Sequence, residues 1–240
     1  MILSGFHAVE EAVRSSPRRV EWALFDESRR DRRSGELKRL CREAGVAVRY
    51  GPRSALDRVA KNHQGVAARL AAADLATRDD ILAGTAGSRF VILLDDVQDP
   101  HNLGAVLRVA EAAGAGVVVH ERGSAPLSET VARVSAGAMA RVPLFRAGNL
   151  RQFLDDAKRR GFFAVGLDER GEDLYSIDLT GDLVLVLGSE GKGIRRLVRE
   201  GCDVVARLPM AGQIASLNLS TAAAAAAFEA VRQRRRGPVA

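Results

Sequence analysis

Three short stretches combine polar side chains with the small residues that let a backbone come close to a ligand. Residues 208–220 read LPMAGQIASLNLS, so that Ser216, Asn218 and Ser220 alternate with Leu217 and Leu219 just before the alanine-rich run TAAAAAAFEAVRQRRR. A helix start needs one side chain to accept from a free backbone N–H, and three exceed that need. Residues 183–198, LVLVLGSEGKGIRRLV, pass from an apolar strand through a glycine-rich turn into a helix. Such a turn brings backbone N–H groups against a ligand. Two familiar readings fail on spacing: Lys192 is followed by Gly193 rather than by the Ser/Thr of a phosphate-binding loop, and glycines 188, 191 and 193 do not form GxGxxG. Glu190 has two readings here, a brace accepting from the turn's own N–H groups or a carboxylate facing the ligand. Residues 93–114, LLDDVQDPHNLGAVLRVAEAAG, form the third stretch. Pro100 ends a strand, Asn102 is placed to cap, and the helix that follows carries Leu103, Val106, Leu107 and Ala110 on one face. Arg108 on that helix is either a surface arginine with its stem laid on apolar surface or part of a site. His101, without a partner, is read as a loop residue.

These stretches need elements to hold them. In the first third, FHAVEEAVRSS, GELKRLCREAG and ALDRVAKN have helical periodicity and alternate with the strands VEWALFD, VAVRYG and GVAARLA, which make a small α/β module over residues 1–73. Residues 74–88, with mixed charge and glycines, read as a linker. From residue 89 to 240 a second alternation runs, with strands FVILLDD, AGVVVH, VPLFRA, FFAVGLD, LVLVLG and DVVARLP. Continuous Val/Leu/Ile runs between helices indicate a parallel sheet covered on both faces. In such sheets ligands bind where strands end and helices begin, which is where the three stretches lie.

Charge points to the partner. Residues 1–73 hold 15 Lys+Arg against 9 Asp+Glu, while residues 74–240 hold 21 of each, so the whole surplus of +6 sits in the first third. A localised basic field suits phosphates, and RNA is the expected partner; DNA is not. Trp22, Phe25 and Tyr50, on strands, are read as core rather than as stacking platforms. His63, Gln64 and Gly65 form a loop open to two readings, an RNA contact or a structural turn. Cys41 and Cys202 are far apart, without a CxxC or a His pair, so buried thiols are expected, with neither disulfide nor metal. No run of about 18 apolar residues occurs, and the first residues lack a signal-peptide pattern. A cytoplasmic chain without membrane contact is the expectation.

Together, DPHNLGAVLR, LGSEGKGIRRL and LPMAGQIASLNLSTA resemble, in order, the three motifs of the TrmH (SpoU) family of RNA 2'-O-ribose methyltransferases in the SPOUT superfamily. SGFHAVEEAV and KNHQGVAARL are similar to parts of the substrate-binding domain that precedes the catalytic domain in many members. The resemblance implies a deep trefoil knot in residues 89–240, an N-terminal fold like ribosomal proteins of the kink-turn-binding class, a homodimer, and S-adenosylmethionine as cofactor. By motif position it implies that Gly188, Leu208, Met210 and Leu217 contact the cofactor, and that Asn102, Arg108, Glu190, Ser216 and Asn218 are the catalytic polar residues. The two-domain layout is most similar to members that methylate a guanosine of 23S rRNA; relatives acting on tRNA or other rRNA nucleotides, and a non-catalytic RNA-binding protein, are the alternatives. A nicotinamide-dependent oxidoreductase lacks its glycine fingerprint here.

Overall fold

A three-residue strand, β1 (Ile2–Ser4), leads through Gly5 into α1 (Phe6–Ser15), followed by β2 (Val20–Asp26), α2 (Arg32–Glu43), β3 (Val48–Gly51), α3 (Arg53–Val59) and β4 (Val66–Leu70). The computed structural model describes residues 2–71, 75–84, 89–214 and 216–236. The four strands form one sheet in the order β1-β4-β2-β3, with β4 antiparallel to both neighbours and β2 parallel to β3. Phe6, Val9, Ala12 and Val13 line one face of α1 and are buried with Ala23, Phe25 and Ala68 of the sheet. Spacing of three and four residues therefore does for α1 what alternation does for the strands. Strand β1 is too short for either period to reveal it.

Phe25 is fully buried, Trp22 is half-buried with the Arg49 guanidinium 5.1 Å from its ring, and Tyr50 is 50% exposed. The core reading thus holds for Phe25 and is corrected for Tyr50. β3 is an edge strand, and the Tyr50 hydroxyl accepts from Arg42 at 2.8 Å in solvent instead of reaching the core. His63 is buried in a turn, where its Nδ1 accepts from Gly65 N at 2.9 Å, so the proton lies on Nε2 and is donated to Asp57 Oδ1 at 2.9 Å. That makes His63 a turn brace.

The second alternation begins inside the stretch expected as a linker. α4 (Arg78–Ala83) is closed by a capping box between Thr77 and Asp80 and buries Ile81 and Leu82, while residue 74 and residues 85–88 of that stretch lie outside the described residues. β5 (Phe90–Asp95), α5 (Pro100–Ala113), β6 (Gly116–His120), α6 (Glu129–Val134), β7 (Leu144–Ala147), α7 (Leu150–Arg159), β8 (Phe163–Asp173), β9 (Leu183–Gly188), α8 (Arg196–Arg199), β10 (Val204–Arg207) and α9 (Leu219–Arg236) follow. Residues 1–74 and 127–141 form one compact unit, residues 75–126 and 142–240 the other, a grouping of α6 with the first unit that local pattern does not reveal.

In the second unit six parallel strands are ordered β10-β8-β9-β5-β6-β7. Each residue of β5 is buried, and β9 is buried up to Gly188, as the continuous apolar runs require. α9 packs on α5 through Ala223, Ala226, Ala227 and Ala230, all fully buried, because a methyl side chain lets two helix backbones approach. Burial pushes the Cys41 thiol up to about 11 and the Cys202 thiol up to about 12, as expected of buried thiols.

Candidate functional site

The register of β5 against β9 places Asp95 beside Gly188, so the loops that follow both strands leave the sheet together. α5 then begins at Pro100, and its cap is Asp99, whose Oδ1 accepts from His101 N at 2.9 Å. This corrects the capping role expected of Asn102. With Asp99 at the helix start, Asn102 stands one turn in, buried, with its amide released for other partners. Leu103, Val106, Leu107 and Ala110, all fully buried, anchor the helix that holds it.

The glycine-rich loop after β9 folds back on itself: Gly193 N donates to Ser189 O at 2.9 Å, and Gly191 and Gly193 have φ of 81° and 65°. Asp95, fully buried, accepts from Arg195 N at 2.8 Å and Arg195 Nε at 2.6 Å, which ties the loop's far end to the sheet. Sequence reading passed over this pair, although a carboxylate closing the apolar run FVILLDD was a signal that something positive must meet it. Asp168, after the equally apolar FFAVGL, is its counterpart and pairs with Arg199 at 3.0 Å.

All three stretches meet at Glu190. Its Oε1 accepts from Asn218 Nδ2 at 2.7 Å, from Asn102 Nδ2 at 3.1 Å and from Leu219 N at 3.4 Å. Asn218 Nδ2 also donates to Asn102 Oδ1 at 3.0 Å. Asn218 Oδ1 meanwhile accepts from Ser220 N at 3.0 Å and Ser220 Oγ at 2.7 Å. The last helix therefore begins at Leu219, three residues later than a start at Ser216, because Asn218 supplies the cap and its carbonyl accepts the first helical bond, from Ala222 N at 2.9 Å. Asn218 thus serves two ends at once: its oxygen caps the helix and its amide hydrogens orient Asn102 and Glu190.

A cavity of about 600 Å³ opens beside this cluster, at the ends of β8, β9 and β10 and the start of α9. Its walls include Leu187, Gly188, Leu208, Met210, Ser216 and Leu217, with Glu190 and Asn218 at one side. Leu217 is 39% exposed, so it presents its side chain to the open cavity, and Leu219 is the leucine that turns into the core. A second hollow, of about 210 Å³, lies on the other side of Glu190 and shares Ser189, Glu190, Lys192 and Leu219 with the first. Arg108 is not brought to the cluster. It is exposed on α5 and makes no hydrogen bond or ion pair among the described residues. Six residues turn a helix by about 600°, which leaves Arg108 roughly 120° around from Asn102.

Comparison with known proteins gives the same reading over the whole chain. A family model described as the SpoU rRNA Methylase family matches residues 89–228, and one described as RNA 2'-O ribose methyltransferase substrate binding matches residues 2–76. A relative in Ralstonia nicotianae, the 23S rRNA (guanosine-2'-O-)-methyltransferase RlmB, is 42% identical over 238 residues, 97% of this chain and 96% of the relative. Among solved structures, the SpoU methyltransferase AviRb from Streptomyces viridochromogenes superposes with a TM-score of 0.81 at 27% identity, over 100% of this chain and 91% of that one. The same protein in complex with the cofactor AdoMet gives 0.78 at 29% identity, over 99% and 91%.

Proposed function

We propose that this chain, which belongs to the SpoU rRNA Methylase family, transfers the methyl group of S-adenosylmethionine to the ribose 2'-hydroxyl of a guanosine in 23S rRNA. The observation that carries this reading is the convergence of Asn102, Glu190 and Asn218 on one oxygen at the edge of a cavity sized for a small-molecule ligand. The cavity fits the cofactor. Leucine and methionine walls suit an adenine, the carboxylates of Asp168, Glu169 and Glu190 on the lining suit cationic groups, and Gly188 leaves the backbone bare where a Cβ would collide with Gly193. Gly188, Leu208, Met210 and Leu217 would hold it, and bound there it supplies an electrophilic methyl on a sulfonium.

The chain's own residues have two tasks, alignment of the ribose oxygen and removal of its proton. Glu190 keeps one oxygen for Asn102 and Asn218, and no printed partner occupies Oε2, which is free to accept from a ribose hydroxyl. Ser216, on the cavity wall, adds a hydroxyl that accepts or donates there. Arg108 holds a substrate phosphate and stabilises the developing alkoxide; as a base it would have to lose a proton with a pKa above about 12. We read the chain as a homodimer, in which Arg108 of one copy serves the site of the other. What supports this is its exposed place on α5, turned away from Asn102. The segment from Gly188 to α9 is read as the family's trefoil knot, since the loop at Glu190 and the chain at Asn218 are in hydrogen-bonding contact.

The first unit is read as the RNA-binding part, supported by its family-model match and its basic surplus. Among the described residues no helix is long and apolar enough to cross a membrane and no group of three or more His, Cys, Asp or Glu side chains is arranged to hold a metal. Action in the cytoplasm on ribosomal RNA fits these features. Incubation of the protein with methyl-labelled S-adenosylmethionine and, in parallel, unmodified 23S rRNA and tRNA tests the reading. Label on one guanosine of 23S rRNA, mapped by resistance of that ribose to alkaline cleavage, is the expected result. Label on tRNA alone would keep the chemistry and overturn the substrate.

A further inference from the structure

The second hollow, on the side of Glu190 away from the cofactor cavity, has no role in holding the cofactor or aligning the hydroxyl. At about 210 Å³ it equals about seven water volumes, space for one nucleobase and no more. It is lined by the loop after β5, with Asp96, Gln98 and Asp99, and by Asn102, Glu190 and Lys192 of the reacting cluster. A ribose whose 2'-oxygen lies at Glu190 carries its own base into the adjoining space, once that base is out of its stack.

Of the two aspartates, Asp99 is engaged at the start of α5. Asp96 is half-buried and has no hydrogen bond or ion pair among the described residues. Its backbone is held at φ 65°, a left-handed conformation that Asp and Asn tolerate better than most residues. Its carboxylate abuts Gly123, where an ideal Cβ would lie 1.9 Å from Oδ1. Gly123 therefore keeps the space for that carboxylate open.

We propose that this hollow takes the guanine of the acceptor nucleotide and that Asp96 reads its Watson–Crick edge, an inference that rests on the methyltransferase function above. Guanine alone among the four bases presents two adjacent donors on that edge, N1–H and the 2-amino group, and an ionised carboxylate is an acceptor at both oxygens. Adenine and cytosine set a ring-nitrogen lone pair against the carboxylate, and uracil offers a single N–H flanked by carbonyl oxygens. Gln98 and Lys192, on the same lining, carry donors suited to the guanine O6. Asp96 is a specificity residue in this scheme, since it touches the base and not the reacting atoms.

The test uses the full-length protein and 23S rRNA transcripts whose acceptor position holds guanosine, inosine, which lacks the 2-amino group, or adenosine. The wild-type protein should methylate the guanosine transcript and lose about 10- to 100-fold in kcat/KM on inosine, the discrimination one good bidentate base contact provides. Absence of any transfer to the guanosine transcript would overturn the proposed function itself. Asp96→Asn, which suits the same backbone conformation, should fall by a similar factor on guanosine, erase the guanosine–inosine difference and leave S-adenosylmethionine affinity unchanged. Gly123→Ala, which alters no group that reads the base, should act in the same direction by crowding the carboxylate. An Asp96→Asn variant that still distinguishes guanosine from inosine as the wild type does, or that loses cofactor binding, overturns the assignment.

Discussion

Gly188→Ala adds one carbon at the place where β9 ends and the cofactor cavity begins. An ideal Cβ there would lie 2.0 Å from Gly193 C, 2.1 Å from Gly193 O and 2.2 Å from Ile194 N, all backbone atoms that cannot rotate aside. Ordinary contact starts at 3.4 Å, so the returning loop has to retreat by at least about 1.4 Å. That loop is held by Gly193 N on Ser189 O and by Arg195 on buried Asp95, and it carries Glu190 between. Overpacking of this kind costs about 1–3 kcal/mol, or about 2–12 °C in Tm for a chain of this size. Function should suffer more than stability, because a displacement of about 1 Å in a positioning group is enough for roughly 100-fold in rate. We expect S-adenosylmethionine binding, followed by titration calorimetry, to weaken at least tenfold, and single-turnover methyl transfer to drop about 100-fold, in a protein that remains folded by circular dichroism. Wild-type affinity and turnover in this variant would mean that the 188–195 loop does not form the cofactor site, and the reasoning from Gly188 would be refuted.

Other perturbations separate the roles of the remaining residues. Arg108→Ala should abolish turnover and leave cofactor affinity within about twofold, since the arginine stands apart from the cavity; a parallel loss of cofactor binding would place it elsewhere in the mechanism. Asn218→Ala removes the cap of α9 and both donations from its amide, so a stability loss of about 1 kcal/mol should accompany a large fall in turnover. Asn218→Asp keeps the capping oxygen but sets a carboxylate against Glu190; thermal stability should stay nearer wild type while turnover at neutral pH is lost, and equal Tm losses in the two variants would argue against the cap. Burial holds the Cys41 and Cys202 thiols at about 11 and about 12, above the unfolded value near 8.5. Their contribution is therefore fully present below about pH 8.5 and lost as pH rises toward the folded values, so denaturation midpoints should fall across that window. A double Cys→Ala variant should show a shallower decline, and both native thiols should react slowly with a thiol reagent at pH 8.

Much of the architecture was written in local pattern. The runs FVILLDD and LVLVLG could only be strands buried on two faces, and their alternation with amphipathic helices made the sheet parallel, because each crossover needs a helix. Polar residues at three strand-to-helix junctions marked the site before any distance was known, since such sheets bind ligands at their strand ends. Local pattern could not say which of two plausible caps a helix uses. Asn102 and Asp99 both had the side chain for it, and the backbone's choice of Asp99 is what left Asn102 for Glu190. Nor could it give the start of α9, where one side chain satisfies both the helix and the cluster. The ties between Asp95 and Arg195, 100 residues apart in sequence, and between Asn102 and Asn218, 116 apart, depend on the order β9-β5 and on the packing of α9 against α5. Sequence periodicity reports which face of an element is apolar, because burial acts on each side chain independently. Which polar groups meet is decided only when the elements pack, because a hydrogen bond needs two partners within about 3 Å and the chain between them does not encode that distance.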